Sequence, residues 1–179
     1  PFGPWAAKGF ITSNATDNVE FHDVDIHGLG HTGLFGFRNV DWDLTDSNII
    51  GNGFVGWDSD ISWSSNDAYA GTMTLTRTKI NYNGCGSRYP LQSATLDDSS
   101  NMHHCWSQSQ GGFGDGIGLG DGAPGNWTFT DSEVSWNVSD GVDLLHGNGT
   151  GTVKFIRSIA EGNAGNQFKV NAADAYVEN

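Results

Sequence analysis

Basic residues are scarce in this sequence of 179 residues. Only 8 residues are lysine or arginine, against 21 aspartates and glutamates, which gives a formal net charge of −13. So acidic a chain is a poor match for nucleic acid or for an anionic membrane surface. No apolar run approaches the ~20 residues of a membrane-spanning helix, and no basic-then-apolar signal segment precedes the rest. We therefore expect a monomer that binds neither nucleic acid nor a membrane.

Helical periodicity is also rare, because apolar residues seldom recur at a spacing of three or four. Glycine, asparagine, aspartate, serine and threonine instead interrupt the chain every few residues, and 26 residues are glycine. Seven tryptophans and ten phenylalanines supply too much apolar surface for a disordered chain. The sequence therefore predicts an all-β fold of short, half-buried strands.

The strands recur in an internal repeat. Five segments begin with bulky apolar residues at their first and third positions: Val19 and Phe21, Trp42 and Leu44, Met73 and Leu75, Trp127 and Phe129, Val153 and Phe155. In four of them the fourteenth residue after the start opens another strand: Gly33, Gly56, Gly141 and Gln167. In the third segment an insertion, residues 84–112, separates the strands, and the pattern resumes at Gly116. A fixed offset of this kind is typical of a solenoid.

These repeats resemble the coils of a right-handed parallel β-helix, in which stacked coils share one core. We predict a single domain over residues 1–179 with about five to six coils and one long inserted loop. One row of side chains should point inward: Leu34, Trp57, Ile117, Val142 and Phe168. The following residues should form an outward row: Phe35, Asp58, Gly118, Asp143 and Lys169. Both ends read as strands of incomplete coils, so the chain is expected to be a fragment of a longer protein.

Only two cysteines are present, and both lie in the insertion. A disulfide between Cys85 and Cys105 would close a loop of about twenty residues and stabilise the fold by ~3 kcal/mol. Together with the acidic surface, this pairing favours a secreted protein. A metal site that uses the segment 102–105 is the alternative, although two adjacent histidines with one cysteine match no standard zinc spacing.

Asp115 and Asp140 each precede a glycine at the same position of successive repeats. Their carboxylates should therefore stack one coil apart, with Asp143 beside them. Like charges so close are unfavourable unless a cation lies between them, and oxygen ligands without histidine or thiolate point to Ca²⁺. The alternative is that aspartate before glycine simply stabilises a turn.

Lys169 is expected one coil beyond Asp143 in the outward row. Such a lysine either pairs with Asp143 in a salt bridge or acts as a base. A Ca²⁺ nearby would lower the pKa of the amine, so that its neutral form could accept a proton.

Residues 114–171 resemble the core of the family 9 polysaccharide lyases, the calcium-dependent pectate lyase type. The segments that carry the resemblance are Ser-Asp-Gly-Val-Asp-Leu at 139–144 and Gly-Asn-Ala-Gly-Asn-Gln-Phe-Lys-Val at 162–170. The resemblance implies that Asp115, Asp140 and Asp143 bind calcium and that Lys169 is the catalytic base. Ser139 and Gln167 depart from the family's pattern, which has aspartate and glycine there. Many β-helix proteins of unknown activity share the sequence pattern Asp-Gly-aliphatic-Asp.

Three functions are compatible with these patterns. The first is a lyase that cleaves an acidic polysaccharide by β-elimination, with Asp58, Asp60 and His146 along the substrate groove. The second is a glycoside hydrolase that pairs Asp58 or Asp60 with Asp143. The third is a non-catalytic module, either structural or glycan-binding, whose aspartates bind Ca²⁺ only for stability. Aromatic side chains expected at the surface could bind the glycan: Trp63, Tyr69, Tyr82, Tyr89 and Trp106.

Overall fold

The computed structural model describes residues 8–12, 18–36, 40–59, 69–84, 114–119 and 125–179. These ranges contain fifteen β-strands and no helix, so no helix within them is long and apolar enough to cross a membrane. The all-β prediction is confirmed for this part of the chain. These segments form strands because apolar and polar residues alternate with a period of two, which places the apolar side chains on one face of a sheet.

The strands form three sheets, and every neighbouring pair is parallel. The first sheet contains β2 (Asn18–His22), β5 (Asp41–Thr45), β8 (Thr72–Thr76), β11 (Asn126–Thr130), β13 (Thr152–Ile156) and β15 (Asp174–Glu178). The second contains β3 (Asp25–His27), β6 (Asn48–Ile50) and β9 (Lys79–Asn81). The third contains β1 (Lys8–Ile11), β4 (Thr32–Phe35), β7 (Trp57–Asp58), β10 (Ile117–Gly118), β12 (Val142–Leu144) and β14 (Phe168–Val170). In the first and third sheets the strands lie side by side in chain order.

The register of the first sheet confirms the internal repeat. Val19 pairs with Trp42, Trp42 with Met73, Met73 with Trp127, and Trp127 with Val153. The five predicted starts are therefore equivalent positions of neighbouring strands. In β5, β8, β11 and β13 these first and third apolar residues are buried, and Val19 and Phe21 of β2 pack against the same core. One repeat could not form this core by itself.

The predicted inward row is also confirmed. Leu34, Trp57, Ile117, Val142 and Phe168 pair in that order across the third sheet. The first four are fully buried, and Phe168 packs against the same core. The outward row has the predicted register. Its carboxylates are nevertheless buried, since Asp58 is 6% exposed and Asp143 is 3% exposed.

Gly118 explains part of this burial. A Cβ atom at Gly118 would lie 3.7 Å from Oδ2 of Asp115 and 3.8 Å from Oδ1 of Asp58. Two carboxylates therefore lie near the backbone of Gly118, that of Asp58 on the neighbouring strand β7 and that of Asp115 in the turn before β10. Asp143 lies on β12, and Lys169 of the neighbouring strand β14 forms an ion pair with it. The row is thus a closed polar cluster rather than an open groove.

Tyr69 was expected at the surface, and this prediction is wrong. Its side chain is fully buried, and its hydroxyl lies 2.7 Å from the carbonyl oxygen of Val40 and 3.0 Å from that of Thr72. Burial raises the pKa of the Tyr69 hydroxyl. The aromatic ring fills the core beside Trp57 and Trp127, so Tyr69 has a packing role. Trp63, Tyr89 and Trp106 lie outside the described residues, as do most of the 84–112 insertion and both cysteines.

Candidate metal centre

Two turns of the backbone place the acidic residues together. Asp115 and Asp140 each lie two residues before a strand of the third sheet, and the strands β10 and β12 are in register. The backbone N–H of Asp140 donates to Oδ1 of Asp115 at 2.8 Å. Because parallel strands are ~4.8 Å apart, equal positions in successive repeats must stack. The structure thus brings the two aspartates together as the sequence predicts.

Asp143 completes a triad with Asp115 and Asp140. The three residues each offer a carboxylate oxygen, and these oxygens all lie within 4.8 Å of one another. All three side chains are buried. Three carboxylates at this separation form a group that can hold a metal ion.

The electrostatics of the triad are unfavourable without a cation. Burial is the largest cause that raises the pKa of Asp115 well above its usual value. The backbone N–H of Asp140 opposes this shift, while the charges of Asp140 and Asp143 add to it. Asp115 is therefore held in a site that disfavours its negative charge. A positive charge among the three carboxylates would remove that penalty.

Lys169 supplies one positive charge. Its Nζ lies 2.7 Å from Oδ2 of Asp140 and 2.6 Å from Oδ2 of Asp143. Burial lowers the pKa of Lys169, but the hydrogen bonds to both carboxylates outweigh burial and leave the pKa raised. The salt bridge to Asp143 that the sequence offered as one alternative is thus present, and Asp140 shares it. The side chain is 22% exposed, so the amine lies at the surface of the cluster.

Backbone groups hold the carboxylates in place. Oδ1 of Asp140 accepts hydrogen bonds from the backbone N–H and the side-chain amide of Asn166. Oδ1 of Asp143 accepts one from the backbone N–H of Leu145 at 3.0 Å. Each of these aspartates therefore keeps Oδ2 for Lys169. Asn166 was not among the predicted site residues, although it belongs to the segment that carries the family resemblance.

A buried asparagine ladder next to the site was also missed. Each asparagine donates its side-chain amide to the side-chain oxygen of the next member, at 2.9–3.1 Å. The members, in order, are Asn52, Asn83, Asn137, Asn163 and Gln167. The signal was present in the sequence, since the four asparagines each follow a repeat start by ten residues. Gln167 is the last member and lies two residues before Lys169, which accounts for glutamine where the resemblance expects glycine.

The remaining predicted site residues do not belong to the triad. Asp58 is buried, and its carboxylate approaches Gly118 from the side opposite Asp143 in the row. His146 is exposed in the turn after β12 and is not part of the triad. Asp60, Cys85 and Cys105 lie outside the described residues.

Taken together, the geometry defines a buried cluster of hard oxygen ligands with one amine at its surface. Such a cluster can bind a divalent cation, or it can neutralise itself through Lys169. Comparisons with protein-family models, with curated proteins and with solved structures found no match.

Proposed function

We propose that the chain is a right-handed parallel β-helix. The parallel pairing of all three sheets and the chain order of the strands in the first and third support this fold. Three repeats contribute a strand to each sheet in turn, and the repeats that start with β11 and β13 continue the second sheet only through isolated bridges at Glu133 and Ile159. A parallel crossover of this kind is right-handed in nearly all proteins. The fold presents the third sheet and its preceding turns as one face, which carries the acidic triad and Lys169.

We further propose that Asp115, Asp140 and Asp143 bind Ca²⁺. Their ligands are carboxylate oxygens without imidazole or thiolate, which is the donor set of a hard cation. The raised pKa of Asp115 supports the same interpretation, because burial makes its charge unfavourable until a cation is near.

On this basis the protein is a secreted, calcium-dependent lyase that cleaves an acidic polysaccharide. The observation that carries the proposal is the amine of Lys169 within 2.7 Å of two carboxylates of the triad. Ca²⁺ in this place would supply a binding partner for the uronate carboxylate and would acidify the proton on C5. Net charge favours such an arrangement, since a chain of −13 needs a cation to hold a polyanion.

Lys169 would act as the base. The hydrogen bonds to Asp140 and Asp143 keep Lys169 protonated, so its ammonium must first lose a proton to water. The neutral amine then accepts the C5 proton, the bond between C4 and the leaving oxygen breaks, and a C4–C5 double bond forms. The departing oxygen takes a proton from water. Lys169 must first leave Asp140 and Asp143, which happens more readily once another cation shares their charge.

A non-catalytic glycan-binding or structural module is the second candidate. The same two ion pairs favour it, because Lys169 already neutralises Asp140 and Asp143 from within the chain. In this case the cluster serves stability alone, and the amine never leaves the carboxylates.

An elimination assay separates the two candidates. Uronic-acid homopolymers such as polygalacturonate are incubated with the protein and Ca²⁺, and the ultraviolet absorbance of the unsaturated uronide product is followed. The lyase proposal predicts an increase in absorbance that a chelator abolishes. Lys169→Met should lose activity by several orders of magnitude while it stays folded in Ca²⁺.

The matched control is Lys154→Met, which removes an exposed lysine on β13 and should keep full activity. A wild-type protein inert towards every polymer in Ca²⁺ contradicts the lyase and leaves the module. New reducing ends without the absorbance would instead indicate hydrolysis.

A further inference from the structure

Two turns of each repeat hold a residue in the left-handed region. The turn after the first sheet has φ angles between 44° and 56°, at Asp23, Asp46, Arg77, Asp131 and Arg157. The other turn follows the second sheet, or the segment equivalent to it, and its φ angles lie between 58° and 69°. The residues, in repeat order, are Gly28, Gly51, Tyr82, Trp136 and Gly162. Backbone hydrogen bonds connect successive turns, including Tyr82 N–H to the Ser135 carbonyl and Trp136 N–H to the Glu161 carbonyl. The five residues therefore form a continuous column, which we name the turn column.

Glycine is the residue that suits this backbone, and three members of the turn column are glycine. Tyr82 and Trp136 are the exceptions, with φ of 58° and 60°. A bulky L-residue is strained in this region because its Cβ approaches the following carbonyl oxygen. Both aromatic side chains are also exposed, Tyr82 by 43% and Trp136 by 38%. Aspartate and arginine adopt a similar backbone in the turn after the first sheet, so the backbone alone assigns no role. The exposure of two adjacent aromatic side chains is what points to a role outside the core.

The neighbouring glycine makes room for Trp136. A Cβ atom at Gly162 would lie 2.3–2.6 Å from three atoms of the six-membered ring of Trp136. The indole therefore covers the next turn of the column, and any side chain at Gly162 would displace it. Tyr82 stands one repeat before Trp136, about 4.8 Å away along the column. The two residues form an aromatic strip that the bare glycine turns flank.

A pocket of about 430 Å³ opens beside the first two turns of the column. Its lining includes Asp25, His27, Gly28, Asn48, Gly51 and Lys79. These side chains offer a carboxylate, an imidazole, an amide and an ammonium group within one concave surface. Asn48 already donates to Asp25 at 2.6 Å, which fixes both side chains in the pocket wall. The volume lies in the range of small-ligand sites.

We infer that the turn column and this pocket bind a chain of pyranose sugars. The C–H bonds on one face of a sugar ring carry partial positive charge and pack on the negative face of an aromatic ring. The polar pocket next to the strip can bind hydroxyl groups. Successive turns of the column are about 4.8 Å apart, so the strip and the pocket lie along one line that an extended chain can follow. A protein partner is the alternative occupant. Two exposed aromatic side chains offer much less area than the ~800 Å² that each partner buries in a stable protein interface, which favours the sugar chain. This inference needs neither Lys169 nor a cation, so it stands apart from the lyase proposal.

Substitution to glycine gives a sharp test, because the other repeats carry glycine with φ of 65–69° at the same turn. Tyr82→Gly and Trp136→Gly should therefore fold and keep a melting temperature close to that of the wild type. The probes are cellohexaose, maltohexaose, mannohexaose and hexagalacturonate, titrated calorimetrically in the presence of EDTA. We expect the wild type to bind at least one of them and each variant to raise its Kd about tenfold or more.

Tyr176→Ala is the matched control, since Tyr176 is an exposed aromatic residue on β15 outside the turn column. It should leave Kd unchanged. If a glycine variant fails to fold, Tyr82→Asn and Trp136→Asn replace it, because asparagine tolerates left-handed backbone. Three results would overturn the inference: no probe binds the wild type, both strip variants bind as tightly as the wild type, or the variants abolish self-association in sedimentation without affecting a sugar. The chelator keeps failure here distinct from failure of the calcium-dependent reaction.

Discussion

Lys169 is the only positive charge that the described structure places against Asp140 and Asp143. Both carboxylates are buried, so removal of the amine leaves two uncompensated charges. Lys169→Met should therefore lower the free energy of unfolding by about 2–4 kcal/mol in a chelator, somewhat less than for a fully buried pair. If the triad binds Ca²⁺, the ion should recover most of this loss. Thermal unfolding with and without Ca²⁺ measures both effects.

Lys154→Met is the control for this experiment as well. The exposed amine of Lys154 has no ion pair with a described residue, so its removal should change stability by less than ~0.5 kcal/mol. A Lys169→Met protein as stable as the wild type in chelator would show that the ion pairs contribute nothing to the fold.

His31 gives the protein a titration that is independent of the acidic triad. Its ring stacks on Phe54 at 4.2 Å, and Nδ1 lies 2.7 Å from the hydroxyl of Thr32. Burial, with a smaller contribution from Lys8, lowers the pKa of His31 to about 4. The unfolded chain binds a proton at His31 below about pH 6.5, while the folded chain stays neutral there until about pH 4. Stability should therefore decrease by roughly 1–3 kcal/mol as the pH falls through this window.

His31→Phe keeps an aromatic ring beside Phe54 and removes the titration. Urea unfolding at several pH values should give a shallower decrease for this variant than for the wild type between about pH 6.5 and 4. Parallel pH profiles for the two proteins would contradict the lowered pKa of His31.

The asparagine ladder is the element that connects the repeats through side chains. Asn137 accepts from the backbone and amide of Asn83 and donates to the Ile80 carbonyl and to Asn163. Asn137→Ala leaves several buried groups without partners and should cost about 3–5 kcal/mol. Gln167→Ala removes only the terminal member and should cost about 1–2 kcal/mol. Chemical unfolding measures both losses. Equal losses for the two variants would contradict the idea that an inner member of the ladder contributes more stability than the terminal member.

Two glycines at β10, Gly116 just before the strand and Gly118 within it, differ in the space around them. A Cβ at Gly116 would come within 2.6 Å of the Gly141 carbonyl oxygen and of the Val134 side chain, whereas at Gly118 nothing lies closer than 3.7 Å. Gly116→Ala should therefore destabilise by about 3 kcal/mol or more, and Gly118→Ala by less than ~0.5 kcal/mol. Melting temperatures of the two variants test this register, and the reverse order would contradict it.

Strand positions and register were predictable from the sequence because they depend on local alternation. Trp57 and Val142 could be placed in one inward row by a fixed offset from their repeat starts. Ile117 and Asp115 follow the insertion and were placed by the shared pattern of aspartate, glycine and an aliphatic residue, which also brought Asp115 and Asp140 together. This part of the prediction needed only the spacing of parallel strands.

Side-chain contacts across repeats were harder to predict. Nothing in the spacing said that Lys169 would reach Asp140 as well as Asp143, since that depends on side-chain rotamers. The asparagines of the ladder looked like turn residues, because asparagine is common in turns and its buried role needs a partner one repeat away. Tyr69 was misplaced for a related reason, as a hydroxyl that finds two carbonyls can be buried.

At the scale of the whole molecule, the described repeats carry two surfaces of different chemistry. The acidic triad with Lys169 lies on the third sheet and its turns, and the aromatic strip follows the second sheet. The proposed lyase depends on the first surface, and the glycan chain that we infer depends on the second. The fold allows both, since each repeat adds one position to each surface.

The proposed calcium site is tested most directly by a crystal structure of the protein grown in Ca²⁺, with the ion located by anomalous scattering. We expect an ion bonded to oxygens of Asp115, Asp140 and Asp143 at about 2.3–2.6 Å. We also expect Nζ of Lys169 to move out of hydrogen-bond distance of Asp140. A structure without an ion in the triad at saturating Ca²⁺, with Lys169 still bridging Asp140 and Asp143, would show that the triad is not a calcium site.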